Sequence, residues 1–447
     1  MTTIFHRPTF DLGLETTDEH QRRYLRYLII VALAGWALAA YDFNLLVFAL
    51  PTVSQDLRLS ETQTGLLVFI VYAALFVITL FVGYGMDVKG RRWMWMFSLC
   101  GAAIFTGLTF FVQGYWQFVA VRALASGLAN SELAISITLV NESVPARRRG
   151  LLYAMVQGGW PIGVLLAAGV WQGLNGLIGW RGVFLVGVVP ILFVVLARAK
   201  VREPERFTHI QQVKAAKKAG DMARARELTR RYDVDLDEVD QVTVKQLFAT
   251  PGWVRNQLLR TSLVWICYAA AFTATNTYIV YWLTTFQGFS DSTATTMLLV
   301  AAAAGWFFYV WGGLLGEDHG RQRVLLASAA VLVALTALWP WLHAGWALWL
   351  VYFCIYQVSN GTWSGVGYTY WAESFPTRVR GTAVGWLGAM FSAGLLLGSG
   401  VWTALIGRVP DLAVWYAVAL GFSVLQLALT FWLPNIPPGK ELEEIAT

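Results

Sequence analysis

Long apolar runs alternate with short polar segments along almost the whole chain. A helix needs roughly 20 apolar residues to cross the hydrocarbon core of a bilayer. Runs of that length lie at approximately 27–50, 62–84, 93–113, 115–141, 150–172, 181–198, 257–286, 293–316, 323–342, 345–371, 381–406 and 412–434. The pattern predicts an all-α integral membrane protein with twelve transmembrane helices.

One long hydrophilic segment, residues 199–256, divides these runs into six and six. It is basic in its first part and acidic later, which is typical of a solvated connector that contains an amphipathic helix. We therefore predict one six-helix bundle over residues 27–198 and a second over 257–434. Residues 1–26 and 435–447 are predicted to be polar tails.

The composition and the placement of charge agree with a membrane protein. Of the residues, 57% are hydrophobic and only 13% are charged, which excludes a soluble protein. Among the 33 Lys and Arg, only Arg58, Arg181 and Arg408 fall at the side opposite the termini, and Arg122 lies inside a span. By the positive-inside rule, the termini and the connector are predicted to be cytoplasmic, in the inner (plasma) membrane of the cell.

The sequence contains no motif of a membrane-bound enzyme or pump. No Lys is followed by Ser or Thr, so a Walker-type P-loop is excluded, and no HExxH or GxSxG motif occurs. Cys100, Cys267 and Cys354 are scattered among apolar segments and predict neither a disulfide framework nor a metal cluster. We expect no enzyme activity, no cofactor, no metal and no nucleic-acid partner, because topology explains the net charge of +6.

Two short motifs occur in both halves. ESVPARRRG at 142–150 recurs as ESFPTRVRG at 373–381, which is 231 residues later. A second motif, which recurs after 230 residues, consists of Gly83, Asp87, Gly90 and Arg91 in the first half and Gly313, Glu317, Gly320 and Arg321 in the second. Two motifs at nearly one offset indicate a duplicated six-helix unit.

The repeated motifs are suited to a gate on the cytoplasmic side. Glycines let helices approach closely, and the repeated acids lie among arginines that can pair with them. Topological anchoring by positive charge would explain the arginines but neither the acids nor the glycines. The predicted gate also contains Arg92, Glu142, Arg149, Glu373 and Arg380.

With these motifs the chain resembles the major facilitator superfamily of secondary transporters. The loop signature G-x-x-x-D-[RK]-x-G-[RK]-[RK] of that family is matched by Gly83, Asp87, Gly90, Arg91 and Arg92, with Val88 at a position that is usually basic. The resemblance implies two six-helix bundles around a central cavity that opens alternately to each side of the membrane. It also implies that the first and fourth helices of each half line the cavity.

Within the superfamily, the chain resembles the metabolite:proton symporters of the sialate, aromatic-acid and sugar-porter-like groups. Arg122 with Glu132 ten residues later, YDF at 41–43 and VREPERF after the sixth run carry this resemblance, as does PPGKELEEI near the end. Ala39 departs from this resemblance, because an additional acid is common at that position in these symporters.

Three ionisable side chains, Asp42, Arg122 and Glu132, lie well inside predicted spans. A charge inside a bilayer is unfavourable unless it faces a cavity or a partner. The helical rise places Asp42 and Arg122 at similar depth and Glu132 roughly 15 Å nearer the cytoplasm. An arginine that approaches or leaves a buried carboxylate changes its proton affinity. We therefore predict Asp42 and Glu132 as protonation sites and Arg122 as the anion-binding or switching residue. A permanent Asp42–Arg122 pair and a Glu132 that stays protonated are the structural alternatives.

Amides and aromatic rings cluster in the spans around the predicted cavity. Besides Arg122, the predicted substrate contacts are Gln157, Trp160, Asn276, Tyr278, Tyr281, Gln357, Asn360 and Trp363. An uncharged half rich in amides and rings, opposite a half with one arginine, suits an organic anion with a planar, hydroxylated or apolar body. Packing alone would explain any single aromatic residue.

The leading hypothesis is proton-coupled uptake of a small organic anion, such as a carboxylate, by a protein that functions as a monomer in the bilayer. One alternative is a sugar porter, whose site would rest on amides without needing Arg122. A second is a proton-coupled multidrug or metabolite exporter, since exporters often carry an acid in an apolar cavity.

Overall fold

The computed structural model describes residues 19–229, 236, 247–248, 252–343 and 345–436. Most of the two predicted tails, including the PPGKELEEI segment, and most of the acidic part of the connector lie outside the described residues.

Six membrane-spanning helices form the first half. The first four are α1 (Glu19–Asp56), α2 (Glu61–Lys89), α3 (Arg91–Phe111) and α4 (Tyr115–Ser143). The next helix runs over Ala146–Arg198 and is interrupted at Gly179, so we number its parts α5 (146–178) and α6 (180–198). The φ of Gly179 is 68°, a conformation that glycine adopts without steric strain. One glycine therefore makes the turn for which the sequence predicted a loop of several residues.

Two shorter helices belong to the connector, for which the sequence predicted an amphipathic helix. They are α7 (Glu205–Lys218) and α8 (Met222–Thr229). Ile210 and Val213 of α7 are buried and pack against Leu228 of α8. We call the end of the molecule that carries these helices the linker face, and the other end the opposite face.

The second half repeats the first. Its helices are α9 (Trp253–Thr277), α10 (Ile279–Thr285), α11 (Asp291–His319), α12 (Arg321–Trp341), α13 (345–373), α14 (Arg380–Leu405) and α15 (Asp411–Thr430). Together, α9 and α10 make up the predicted span 257–286. Turns of π-helix interrupt the regular hydrogen-bond ladder at Thr273–Thr277, Gln357–Trp363 and Tyr416–Gly421. Such turns are frequent at functional sites.

Within the described residues, ten helices are long and apolar enough to cross a membrane, counting Ala146–Arg198 once. That helix supplies two crossings because it turns at Gly179. The twelfth crossing is α13, whose polar central turn contains Gln357, Ser359 and Asn360. The predicted twelve-helix architecture is confirmed.

The halves meet along two symmetry-related helix pairs, α2 with α14 and α5 with α11. Glycines allow the close approach in both. A Cβ on Gly83 of α2 would lie 2.7 Å from the Cα of Gly385 on α14, and one on Gly313 of α11 would lie 2.5 Å from the Cβ of Ala154 on α5. Both distances are shorter than van der Waals contact, so the helices approach this closely only because neither glycine carries a side chain.

Candidate functional site

Glu142, on the linker face, is held by arginines from both halves. Arg91 of the same half donates from Nε and Nη2 to its carboxylate oxygens, at 3.1 and 3.0 Å. Arg380 of the other half donates from Nη1 to Oε1 at 3.0 Å. All three side chains are buried, so these charge-assisted bonds are screened little by water.

Glu373 occupies the equivalent place in the second half. Arg321 donates from Nε to its Oε2 at 3.2 Å, and Arg149 of the first half reaches its Oε1 at 3.5 Å. Each half thus supplies an arginine to the glutamate of the other half.

Two further acids of the repeated motifs accept hydrogen bonds from the backbone across the interface. Asp87 accepts from Gly381 N at 3.1 Å and from Thr382 N at 2.7 Å. Glu317 accepts from Leu151 N at 2.9 Å. We call the set formed by Asp87, Arg91, Glu142, Arg149, Glu317, Arg321, Glu373 and Arg380 the linker-face network. It closes the interface between the halves at this end of the molecule.

Arg92 makes a different contact. Its guanidinium donates at 2.8 Å to the backbone oxygen of Ala199, the first residue of the connector. The Glu203 carboxylate, just after α6, accepts the backbone N–H groups of Arg91 and Arg92 at 2.6 and 3.0 Å. Burial raises the pKa of the Glu203 carboxyl above its ordinary value, and the two backbone hydrogen bonds oppose that rise. Arg92 and Glu203 therefore attach the connector to the start of α3, which carries Arg91.

A central cavity lies deeper between the halves. It contains about 590 Å³ of empty space, including the part open to solvent. Its polar lining consists of Tyr72, Asn130, Gln157, Tyr268, Thr277, Tyr309, Asn360, Ser364 and Tyr368, and its apolar lining of Trp36, Phe43, Leu75, Leu133, Trp160, Phe272, Phe391 and Leu395. Among the residues that the structure describes, those lining this cavity carry no formal charge. Amides, hydroxyls and aromatic rings therefore determine what it binds.

Three of the predicted substrate contacts, Gln157, Trp160 and Asn360, line this cavity. Asn276 lies beside them, since Asn360 Nδ2 donates to its Oδ1 at 2.8 Å. The amide oxygen of Gln157 is buried and has no hydrogen-bond partner within the described chain. An unsatisfied amide oxygen in a cavity lining is available to a hydrogen-bond donor on a ligand.

The other predicted contacts lie outside the lining. Gln357 donates to Ala301 O at 2.7 Å, and Trp363 is buried against Trp265 and Tyr268. Tyr278 stacks on Trp402 at 4.8 Å between ring centroids. Tyr281 is 46% exposed on the surface.

Sequence reasoning did not select several residues that line the cavity. Trp36 and Phe43 of α1 approach Trp160 at ring-centroid distances of 5.6 and 5.7 Å. Asn130 carried the same signal as the selected amides, a polar side chain inside an apolar span. The rings carried no distinguishing signal, because aromatic residues are abundant along the whole chain.

Asp42 and Arg122 form an ion pair inside the first half. Arg122 Nη2 lies 2.8 Å from Asp42 Oδ2, and Thr106 of α3 donates to Oδ1 at 2.7 Å. The guanidinium also lies over the ring of Phe184 of α6, 4.7 Å from its centroid. Both charges are fully buried, and neither lines the central cavity. The pair faces α3 and α6 instead of the interface between the halves.

Glu132 has different partners. Its carboxylate accepts from Trp95 Nε1 at 2.7 and 2.8 Å and from Arg198 Nη2 at 2.6 Å. All three side chains are buried. Sequence reasoning missed Arg198, because a basic residue at the end of an apolar run usually reaches the membrane surface. Here it turns inward from the end of α6.

Two helical halves related by an internal repeat, a cavity between them and a reciprocal charge network at one end define a membrane transporter. Residues 32–399 and 261–446 match the model of the Major Facilitator Superfamily. The chain belongs to this superfamily, and it is a transporter rather than an enzyme.

Similar proteins include bacterial metabolite transporters. A putative metabolite transport protein of Haemophilus influenzae is 36% identical over 184 residues, which cover 41% of this chain and 45% of that protein. The niacin transporter NiaP of Acinetobacter baylyi is 24% identical over 81% of this chain and 83% of its own length. The cis,cis-muconate transport protein of the same organism is 26% identical over 90% of this chain and 91% of its own length.

The fold is also that of a solved structure. The proton:xylose symporter XylE bound to 6-bromo-6-deoxy-D-glucose superposes with a TM-score of 0.77 at 17% identity, over 95% of this chain and 99% of that one. At this identity the likeness shows a common fold.

Proposed function

We propose that this protein couples the entry of protons to the uptake of a small organic anion, a carboxylate, by alternating access. The observation that carries the proposal is the Asp42–Arg122 pair, a carboxylate and a guanidinium buried together inside the bundle at 2.8 Å. Ionisable groups inside a membrane bundle typically serve ion or substrate pathways.

The pair has the parts of a proton switch. When Asp42 takes a proton, Arg122 loses its counter-charge and must find another acceptor, because an uncompensated buried charge is unfavourable. Arg122 Nε already lacks a hydrogen-bond partner within the described residues. Phe184 of α6 covers the guanidinium, so release of Arg122 requires this contact between α4 and α6 to rearrange. Protonation is thereby tied to helix rearrangement. Glu132 is the second proposed protonation site.

The cavity suits a planar unsaturated acid. Amide N–H groups of Asn130 and Gln157, and hydroxyl groups of the lining tyrosines other than Tyr268, can donate to a carboxylate. The rings of Trp36, Phe43 and Trp160 can pack on a flat body. Niacin and cis,cis-muconate, which occur in the names of the two long-aligned relatives, are unsaturated carboxylates.

The linker-face network can serve alternating access if the linker face is cytoplasmic, as the positive-inside rule predicts. The linker-face network then holds the cytoplasmic side closed while the cavity loads from outside. Separation of Glu142 from Arg380, and of Glu373 from Arg149, would open the other path.

Uptake by purified protein in proteoliposomes tests the proposal, with nicotinate and cis,cis-muconate as substrates and an imposed proton gradient. Asp42→Asn should abolish proton-driven accumulation but retain exchange with preloaded substrate. Asp56→Asn, which changes an acid at the opposite face outside the cavity, is the matched control and should accumulate normally. Full gradient-driven accumulation by Asp42→Asn would contradict the proposal.

A second candidate, a porter of neutral sugars, is favoured by one observation: the cavity lining has no formal charge within the described residues. A comparison of thermal stabilisation by xylose, glucose, nicotinate and cis,cis-muconate separates the two candidates. Stabilisation by sugars alone, together with unchanged transport after Arg122→Ala, would favour the sugar porter.

A further inference from the structure

The Glu132–Arg198 pair is separate from the Asp42–Arg122 pair. Arg122 and Glu132 lie on one helix ten residues apart, a rise of roughly 15 Å. Each acid has its own arginine, so Arg122 does not alternate between the two acids in this conformation.

Arg198 depends on the ion pair with Glu132 more than Glu132 does. The Glu132 carboxylate also accepts from Trp95 Nε1. Arg198 uses Nη2 alone, because its buried Nε and Nη1 have no hydrogen-bond partner within the described chain. Its guanidinium otherwise lies over the Trp95 ring, 3.9 Å from the centroid. Protonation of Glu132 would therefore leave the arginine, rather than the acid, without adequate compensation.

Gly35 of α1 provides the space for this pair. A Cβ at Gly35 would lie 1.6 Å from Arg198 Nη2 and 2.8 Å from Glu132 Oε1. The other ionisable groups that interact with the pair are Tyr153 of α5, with Glu132, and Cys100 of α3, with Arg198. Both are neutral in their ordinary protonation states at neutral pH, so Glu132 is the only carboxylate that compensates Arg198 among the described residues.

Arg198 lies close in the chain to a segment attached to the linker-face network. It occupies the last turn of α6, and Val201 N donates to its backbone oxygen at 2.9 Å. The next residue, Ala199, accepts from Arg92 at 2.8 Å, and Glu203 accepts the first backbone N–H groups of α3. The side chain at the start of α3 is Arg91, which binds Glu142.

We propose that Arg198 transmits the protonation state of Glu132 to the linker-face network. A proton from water adds to a carboxylate oxygen of Glu132, and the ion pair is replaced by a neutral acid and an uncompensated guanidinium. Arg198 then turns towards the linker face, which displaces residues 199–203 and loosens the attachment of Glu203 to α3. Arg198 is thus a positioning residue. The inference rests on the proposed transport cycle, to which it adds a route from proton to gate.

The test measures the gate without substrate or gradient. Spin labels at Lys89→Cys and Asp318→Cys, exposed positions on the linker face of the two halves, report their separation in nanodiscs after the three native cysteines are replaced by alanine. The distance should lengthen when the pH is lowered. Glu132→Gln should lengthen it at high pH as well, and this effect should vanish when Arg198→Ala is also present.

Two further variants distinguish transmission by Arg198 from a purely structural role of that residue. Arg198→Lys should restore the pH response, since the charge is kept. Gly35→Ala, which displaces Arg198 without removing a charge, should uncouple the distance from Glu132. Asp42→Asn is the matched control, and its effect should be the same with or without Arg198→Ala. An unchanged distance in Glu132→Gln, or lengthening that does not depend on Arg198, would overturn the inference.

The two measurements distinguish failure of the inference from failure of the proposed function. If carboxylate uptake proves insensitive to a proton gradient while the distance follows Glu132 through Arg198, the proposed symport fails and the inference stands. If uptake is proton-driven but the spin-label distance does not change in Glu132→Gln, the proposed symport stands and the inference fails.

Discussion

Arg380 of the second half donates to Glu142 of the first half at 3.0 Å, and this oxygen of Glu142 also accepts from Arg91. One buried carboxylate thus compensates two buried guanidinium groups from different halves. The internal repeat generates the same relationship at Glu373, with Arg321 and Arg149.

Removal of this carboxylate should weaken the closed interface. Glu142→Gln removes the carboxylate that Arg91 and Arg380 share, although Arg91 keeps Asp87 at 3.2 Å, and breaking a buried pair costs about 3–5 kcal/mol. The thermal unfolding midpoint should fall, and the linker face should become accessible to thiol reagents at Thr377→Cys in a background without native cysteines.

The control for this substitution is Arg181→Gln. Arg181 pairs with Asp56 at 2.7 Å, but the two side chains are 34% and 46% exposed and belong to one half. Pairs of this kind contribute about 0–1 kcal/mol. Equal effects of the two substitutions would show that Glu142 does not hold the halves together.

The contact between Gly83 and Gly385 predicts a steric block. Gly83→Ala would place a methyl group 2.7 Å from the Cα of Gly385, where the neighbour is backbone and cannot rotate away. The closed linker face should be disfavoured and transport should fall. Gly169→Ala, at a helical glycine with nothing within 4 Å of the added Cβ, should transport normally. Both rates can be measured in the same uptake assay, and normal transport by Gly83→Ala would count against a tight closed interface.

The position of the Gln157 amide in the cavity lining predicts that its removal lowers substrate affinity. Gln157→Ala removes a cavity hydrogen-bonding group, and one such bond contributes about 0.5–1.5 kcal/mol, or up to about tenfold in KM. Proton dependence should be retained. Gln172→Ala changes an exposed amide on the same helix and should leave KM unchanged. An unaltered KM in Gln157→Ala would place the substrate elsewhere.

The contacts of Asp56 predict that acid lowers the stability of the first half. Hydrogen bonds from Arg181 Nη1 at 2.7 Å and Trp180 Nε1 at 3.1 Å hold the pKa of the Asp56 carboxyl below its ordinary value. The unfolded chain then binds this proton more readily, so the stabilisation is present above the ordinary pKa and is lost as pH falls through the lowered one.

Thermal unfolding between about pH 6 and about pH 3 measures this contribution. The midpoint should fall less steeply with acid in Asp56→Asn than in the native chain, because the group that titrates is gone. Arg181→Gln should show an intermediate slope. Identical slopes in all three proteins would mean that Asp56 titrates alike in the folded and unfolded chains.

The gate residues show how much of this site could be predicted from the sequence. The offsets of 230 and 231 residues predicted which acids and arginines are equivalent, and equivalent positions in a duplicated fold face each other across its pseudo-symmetry axis. The sequence did not show that Arg149 and Arg380 cross to the glutamate of the other half. Arg92 lies outside this interface because α3 begins one residue earlier and turns it towards the connector.

In the cavity, the sequence predicted only some of the lining residues. Amides inside apolar spans identified Gln157 and Asn360, but the same criterion selected Gln357, whose amide donates to a backbone carbonyl. Whether a buried amide meets a ligand or a neighbouring helix depends on the rotation of its helix, which periodicity determines poorly when all faces are apolar.

The sequence by itself determined the twelve helices and the duplication, because apolar length and motif spacing are properties of a chain in one dimension. Only the tertiary structure decided the partners: Asp42 with Arg122, and Glu132 with Arg198 and Trp95. Partnership requires helices distant in the chain to pack with particular faces together. For Arg198 it also required the space that Gly35 leaves on α1, so its inward turn became visible only in three dimensions.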